Sequence, residues 1–337
     1  MPVGGESAKA PGLREIASLA GVSHQTVSRV LSGHPNVAAA TRERVMAVVE
    51  RENYRPSRVA RTLTTKRHDR LGVVVESGSQ TGPASTLRAV EDAAFARGYS
   101  ISSMTASERG ASVREAVEHL VDHGVDGLIV IAPRLVTVGT LPELAPGVPR
   151  LVVTSGSNAG AVSVDQYSGA RAAVEHLVAA GHRGISHLAG PADWSDALER
   201  ERAWRDVLNE RGLAVGAPVV GDWTADAGYA AAGRILADAA CTAVFVANDQ
   251  MALGLLHALA ERGVAVPADM SVVGFDDVPE SRHYLPPLTT VRQDFAALGE
   301  AAVDALLRLV NGAGSAVRPV LIPATVVPRA SVAVPRV

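Results

Sequence analysis

Two hydrophobic rhythms divide the chain. Between Leu13 and Ala20 the apolar residues Leu13, Ile16, Ala17 and Ala20 recur at helical spacing and give one buried stripe. Gly21 follows, where a tight turn can take a positive φ, and Ser23 stands at the cap position of a second helix. In that helix Val27, Val30 and Leu31 turn inward and leave His24, Gln25, Ser28 and Arg29 on the opposite face. A third amphipathic segment, about 41–52, carries Val45, Val48 and Val49 on one side. The pattern predicts a three-helix unit containing a helix-turn-helix, whose second helix presents polar side chains suited to base edges. An ordinary helical hairpin would share the pattern.

From Leu71 the rhythm changes. LGVVVE, DGLIVIA, RLVVT, GISHLAG, AVFVAN and MSVVGFDD are apolar runs of strand length. Segments near 84–97, 111–123, 167–180, 197–212, 227–238 and 249–262 read as covering helices between them. That alternation predicts a doubly wound α/β core with parallel strands, in which ligands bind beyond the carboxyl ends of the strands. At 337 residues the chain is long for one core and suits a small domain plus a larger, bilobed one.

Charge separates the same two parts. Residues 1–70 hold 12 Lys and Arg against 6 Asp and Glu, leaving 20 against 29 in the remainder, so a head of +6 precedes a body of −9. The basic head supplies phosphate contacts, and a duplex would repel the acidic body. Between them lies NYRPSRVARTL, where Pro56 can start a helix and Ser57 can cap it, although so short a helix is marginal alone in water. Arg58 and Arg61 can meet phosphates there, and Ala60 is small enough for close approach; a plain flexible linker is the alternative. TTKRHDR, 64–70, reads as linker either way.

Other classes find little support. MPVGGESAKAPG lacks the apolar core of a signal peptide and no run nears about 18 apolar residues, so a cytoplasmic protein without a membrane partner is expected. The single cysteine, Cys241, excludes an internal disulfide and reads as an inert, partly buried thiol. There is no GxSxG, Walker loop, HExxH or strand-following GxGxxG, and the histidines show no metal spacing. No catalysis, cofactor or metal is expected.

AGVSHQTVSRVLSG and NYRPSRVARTL, with VANDQMALG, SVVGFDD and YLPPLTTVRQDF further on, resemble the LacI family of bacterial repressors, and the likeness runs to about residue 331. The resemblance implies a headpiece at 1–56, a hinge helix and linker at 57–70, a two-lobed effector-binding and dimerisation domain of periplasmic-binding-protein type at 71–331, and a tail at 332–337. The first lobe would take about 71–163 plus 293–322, and the second about 164–292 plus 323–331. DNA contacts would come from Ser23, His24, Gln25, Thr26, Ser28 and Arg29 of the reading helix. Ser57, Arg58, Ala60, Arg61 and Leu63 would serve in the hinge, where paired hinge helices enter the minor groove and Leu63 wedges into the central base step. Members commonly carry a serine where this chain has Ala38, so the third helix is expected to lack a side-chain cap.

The same resemblance implies a homodimeric repressor of sugar-utilisation genes, released from a palindromic double-stranded DNA operator when a saccharide, a galactoside or other glycoside, enters the cleft. A corepressor-dependent regulator of the same family is the alternative; a secreted solute-binding protein would share the core but has no use for the basic head. Effector ligands carried over are Arg200, Trp223, Asn248 and Asp276, with Gln293 and Phe295 near the cleft. Each has a plainer role available: a helix cap for Asn248, a surface ion pair for Arg200, core packing for Trp223 and, beside the site, a turn acid for Asp277. Against the lac-type pattern, Thr154 stands for an aspartate, Leu198 for an arginine, Val164 for a phenylalanine and Glu76 for a serine, which leaves the sugar unassigned. Glu76 is expected either to grip a hydroxyl or to point to solvent. The closing stretch Pro319–Val337, with four prolines and no heptads, predicts a dimer rather than a tetramer.

Overall fold

A computed structural model describes residues 11–31, 34, 36–54, 67–77, 80–106, 112–132, 134–135, 137, 145–155, 162–312 and 319–336. The chain divides into two compact units between His68 and Asp69. The hinge residues Ser57, Arg58, Ala60, Arg61 and Leu63 lie outside the described residues.

The first unit is α1 (Leu13–Ala20), α2 (His24–Leu31) and α3 (Ala39–Arg51). Ile16, Val27 and Val45 are fully buried at its centre, with Ala17, Ala20, Val30, Val48 and Val49 around them. Gly21 takes φ 63°, and the turn it makes lets Val22 N–H donate to the Ala17 carbonyl at 3.0 Å. Ser23 Oγ accepts the Thr26 N–H at 3.1 Å, a cap worth about 1 kcal/mol. Arg44 Nε donates to the Ala20 carbonyl at 3.0 Å and ties α3 to the end of α1.

The cap of α3 is Ala38, which offers no side-chain acceptor. Ala38→Ser is therefore expected to stabilise the headpiece by about 0.5–2 kcal/mol. The check is a higher midpoint for headpiece unfolding in the full chain; an unchanged midpoint would mean the exposed N–H groups already have a partner.

The second unit runs β1 (Arg70–Glu76), α4 (Thr81–Ala96), β2 (Ser100–Ala106), α5 (Val113–Asp122), β3 (Gly127–Ile131), β4 (Arg150–Val153), β5 (Val162–Val164), α6 (Gln166–Ala179), β6 (Ile185–Ala189), α7 (Ser195–Glu210), β7 (Val219–Val220), α8 (Ala225–Leu236), β8 (Ala243–Val246), α9 (Asp249–Glu261), β9 (Ser271–Val273), a 3-10 turn (Pro279–His283), β10 (Thr290–Gln293), α10 (Phe295–Val310), β11 (Val320–Ile322) and β12 (Ala324–Val327). The strands make a parallel sheet in the order β11-β5-β4-β3-β1-β2, a second parallel sheet in the order β7-β6-β8-β9, and an antiparallel pair β10-β12. This is the bilobed, doubly wound architecture expected from the alternating pattern.

Both sheets are buried on two faces, as parallel sheets require. In β1, Leu71, Val73 and Val75 join one core under α4 and α10, while Val74 faces the other with α5. In β8, Val244 and Val246 pack towards α8 and α9, and Ala243 and Phe245 towards α6 and α7. The six helices expected from periodicity lie within about three residues of their places. Helix α10 was not anticipated, although it covers one face of the first sheet. Strand β2 was not either, because SISSMTA lies at the sheet edge and shows no apolar run.

Several polar side chains are buried in the second lobe, among them His187, Arg200 and Asp249. His187 on β6 stacks on Phe245 at 4.8 Å between ring centroids and bonds the Phe245 carbonyl through Nδ1 at 2.9 Å. Burial pushes its imidazole down to about 4. An unfolded chain would take up that proton near 6.5, so this contribution is complete above about pH 6.5 and is lost as pH falls towards 4, by about 3 kcal/mol in all. Asp276, described below, works with the opposite sign over a similar range. The test is therefore a difference: His187→Leu should lose less stability than the parent chain between pH 7 and 4. Parallel curves would contradict the depressed ionisation.

Candidate functional site

On the first unit, His24, Gln25, Ser28 and Arg29 are exposed along the outer side of α2, and Thr26 is half-buried beside the cap Ser23. The three residues that turn the other way, Val27, Val30 and Leu31, pack into the three-helix core and fix which face looks out. The predicted reading residues thus share one rigid surface at the start of the second helix, the end that contacts bases in a helix-turn-helix.

In the second unit two adjoining cavities lie between the lobes. One, of about 310 Å³, is lined by Thr81 and Pro83 from α4 and by Arg200, Trp223, Asn248 and Asp276 from the second lobe. The other, of about 420 Å³, includes Thr154, Gln166, Gln293 and Phe295. Gly82, Pro83 and Asp196 belong to both. The position follows from topology, since the order of the second sheet reverses between β6 and β8 and a crevice opens beyond their carboxyl ends. At the end of β6 the Trp223 ring lies directly over Gly190, where an added Cβ would come within 2.2 Å of it. Only glycine leaves room for that ring.

The polar side chains form a closed circuit. Arg200 Nε donates to Gln166 Oε1 at 2.9 Å, Gln166 Nε2 to Gln293 Oε1 at 2.8 Å, and Gln293 Nε2 to Asp276 Oδ1 at 2.7 Å. Asp276 Oδ1 faces Arg200 Nη2 at 3.7 Å and closes it. Arg200 also donates to the Ala247 carbonyl and lies 3.8 Å from the centre of the Phe275 ring. Far from a surface ion pair, it is 3% exposed. Burial drives the Asp276 carboxyl up to about 6, with the Arg200 charge and the Gln293 bond pulling down and Asp196 pushing further up. The carboxylate is charged at neutral pH but held at a cost.

Backbone strain accompanies this. Asp276 and Asp277 take φ of 112° and 53°, values that non-glycine residues rarely adopt. They persist because Asp276 N–H donates to the Val291 carbonyl at 2.8 Å and Asp277 is gripped by Arg292 at 2.6 Å and by Arg329. Asp277 is thus a structural anchor beside the site.

Asn248 has both of its predicted roles available. Its Oδ1 caps α9 by accepting the Met251 N–H at 2.9 Å, while Nδ2 donates to the Trp223 carbonyl and to Gln250 Oε1, each at 3.0 Å. Glu76 is half-buried at the end of β1. Its carboxylate accepts from Thr137 Oγ1 at 2.7 Å and from the Arg134 N–H at 3.3 Å, and it lines neither cavity. A half-buried carboxylate gains from nearby donors, and the first lobe supplies them locally. Sequence reasoning missed Gln166 and Asp196. Gln166 follows a strand only three residues long, and Asp196 sat unremarked within WSDALERERAW.

Residues 12–57 match the model of bacterial regulatory proteins of the lacI family, and 174–332 match a periplasmic binding protein-like domain. Over 305 residues the chain is 38% identical to the lactose operon repressor of Escherichia coli strain K12, covering 89% of this chain and 85% of that one. The chain belongs to the lacI family. This lacI-family protein is also 33% identical over 306 residues to the HTH-type transcriptional repressor PurR of Haemophilus influenzae, across 89% of this chain and 91% of the relative. The solved lac repressor dimer bound to operator and the anti-inducer ONPF superposes with a TM-score of 0.85 at 36% identity, covering 96% of this chain and all of that one. A transcriptional regulator CelR–cellobiose complex gives 0.71 at 30% identity, covering 95% and 99%. The family makes this chain a DNA-binding transcriptional repressor with a helix-turn-helix and a periplasmic-binding-like core, and nothing in it points to catalysis. Among the described residues no helix is long and apolar enough to cross a membrane.

Proposed function

We propose that this lacI-family repressor is a cytoplasmic homodimer that holds a palindromic operator beside sugar-utilisation genes and releases it when a saccharide enters the interlobe cleft. The circuit of Arg200, Gln166, Gln293 and Asp276 beside the Trp223 ring carries the reading, because a sugar needs paired donors and acceptors for its hydroxyls and a flat apolar surface for its C–H face. Ser23, His24, Gln25, Thr26, Ser28 and Arg29 read the major groove. Ser57, Arg58, Ala60, Arg61 and Leu63 act in the minor groove as a hinge formed on DNA.

Release works through the lobes. Among the described residues, contacts that span the cleft include Gln250 Nε2 donating to Thr81 Oγ1 at 2.8 Å, the Thr154 and Ser195 hydroxyls meeting at 3.2 Å, the Leu135 N–H donating to the Asp193 carbonyl at 3.1 Å, and Arg134 pairing with the Asp193 carboxylate at 3.6 Å. A ligand that engages Asn248 competes for the amide that holds Gln250, and so changes the first of these. Lobe movement then alters the spacing of paired hinge helices. Selection of duplexes from a random pool by the full chain should yield two inverted half-sites, and light scattering should report about twice the mass of one chain. A single half-site bound by a monomer would overturn the proposal.

A further inference from the structure

We propose that the cleft takes an uncharged saccharide and refuses phosphorylated or carboxylated counterparts, with Asp196 as the residue that sets this selectivity; this rests on the saccharide reading above. Asp196 lies in the first turn of α7 and borders both cavities. Among the described residues its carboxylate has no hydrogen-bond or ion-pair partner, although it faces Asp276 closely enough to disfavour that group's charge. Two carboxylates therefore look into one space.

Arg200 is the single cationic side chain among the described lining residues, and it is already engaged. Nε is held by Gln166, Nη1 by the Ala247 carbonyl, and Nη2 faces Asp276. An incoming phosphate or carboxylate would meet net negative charge in a partly desolvated cleft with no cation free to neutralise it. The amino end of α7 would by itself favour an anion, but Asp196 already places a negative charge there. A neutral sugar meets the opposite situation, because its hydroxyls can supply donors to Asp196, which has none among the described residues, and to the Asp276 oxygen that Gln293 leaves open. Charge-assisted hydrogen bonds of that kind are stronger than neutral ones.

Calorimetry on the full chain should use neutral mono- and disaccharides, including galactose, lactose and cellobiose, together with galactose 6-phosphate and galacturonate. At least one neutral sugar should bind, with its anionic counterpart bound at least about a hundredfold more weakly. Asp196→Asn keeps the shape, and Asp196→Ser removes the group altogether. In either variant affinity for the neutral sugar should fall about tenfold, and the preference over the anionic one should narrow by a similar factor. An anionic sugar bound by the parent chain as tightly as its neutral counterpart would overturn the charge selectivity and leave the saccharide reading standing. An unchanged preference in both folded variants would remove Asp196 from the role. Failure of every sugar, neutral or charged, would overturn the saccharide reading and this inference with it.

Discussion

Asp276→Asn is expected to leave operator binding intact while raising the sugar concentration for half-release by about ten- to a hundredfold, the loss expected when a charged hydrogen-bond acceptor is replaced by an amide. The carboxylate can accept from sugar hydroxyls while holding Gln293, and an amide oxygen cannot serve all of them. In a cell the variant would repress without responding. The raised ionisation supplies an independent check. With the carboxyl pushed up to about 6 by burial, sugar affinity in the parent chain should weaken as pH falls through about 6 and the acceptor is protonated. The Asn variant should show no such inflection. Loss of operator binding with sugar affinity retained would contradict the assignment.

Arg29→Ala should act at the other end of the molecule. Arg29 lies on the exposed face of α2 beside Gln25 and Ser28, on a helix anchored by Val27 and Val30. Removing it should relax discrimination at one position in each half-site, at about 1–3 kcal/mol, and leave random-sequence binding nearly unchanged. Arg58→Ala, in the hinge, should instead lower affinity for all duplexes and flatten the salt dependence. Equal losses on specific and random DNA for Arg29→Ala would remove that side chain from base reading.

The headpiece was legible because its determinants are local. Helical spacing, Gly21 and Ser23 decide α1 and α2 between Leu13 and Leu31, whereas the uncapped start of α3 at Ala38 was read from the family resemblance. The parallel strands were legible for a different reason, since burial on both faces leaves continuous apolar runs. Where those conditions fail, the pattern fails: β2 is an edge strand, and α10 belongs to the first lobe although it follows a strand paired outside that lobe's sheet. The cleft was half legible. Arg200, Trp223, Asn248 and Asp276 were found by resemblance and do line one cavity. The bond from Thr137 to Glu76 was not legible, because the two lie 61 positions apart. Gln166 joins Arg200 to Gln293 across separations of 34 and 127 residues, which no local pattern could reveal.

Linkage requires that sugar and operator weaken each other equally. The decisive measurement is the operator dissociation constant of the full chain, by fluorescence anisotropy on the duplex selected from a random pool, with and without a saturating neutral sugar that calorimetry has shown to bind. An induced repressor should show a rise of about 5- to 150-fold. An unchanged constant would mean the cleft does not speak to the headpiece, and a tighter one would make the sugar a corepressor; either result contradicts release by sugar.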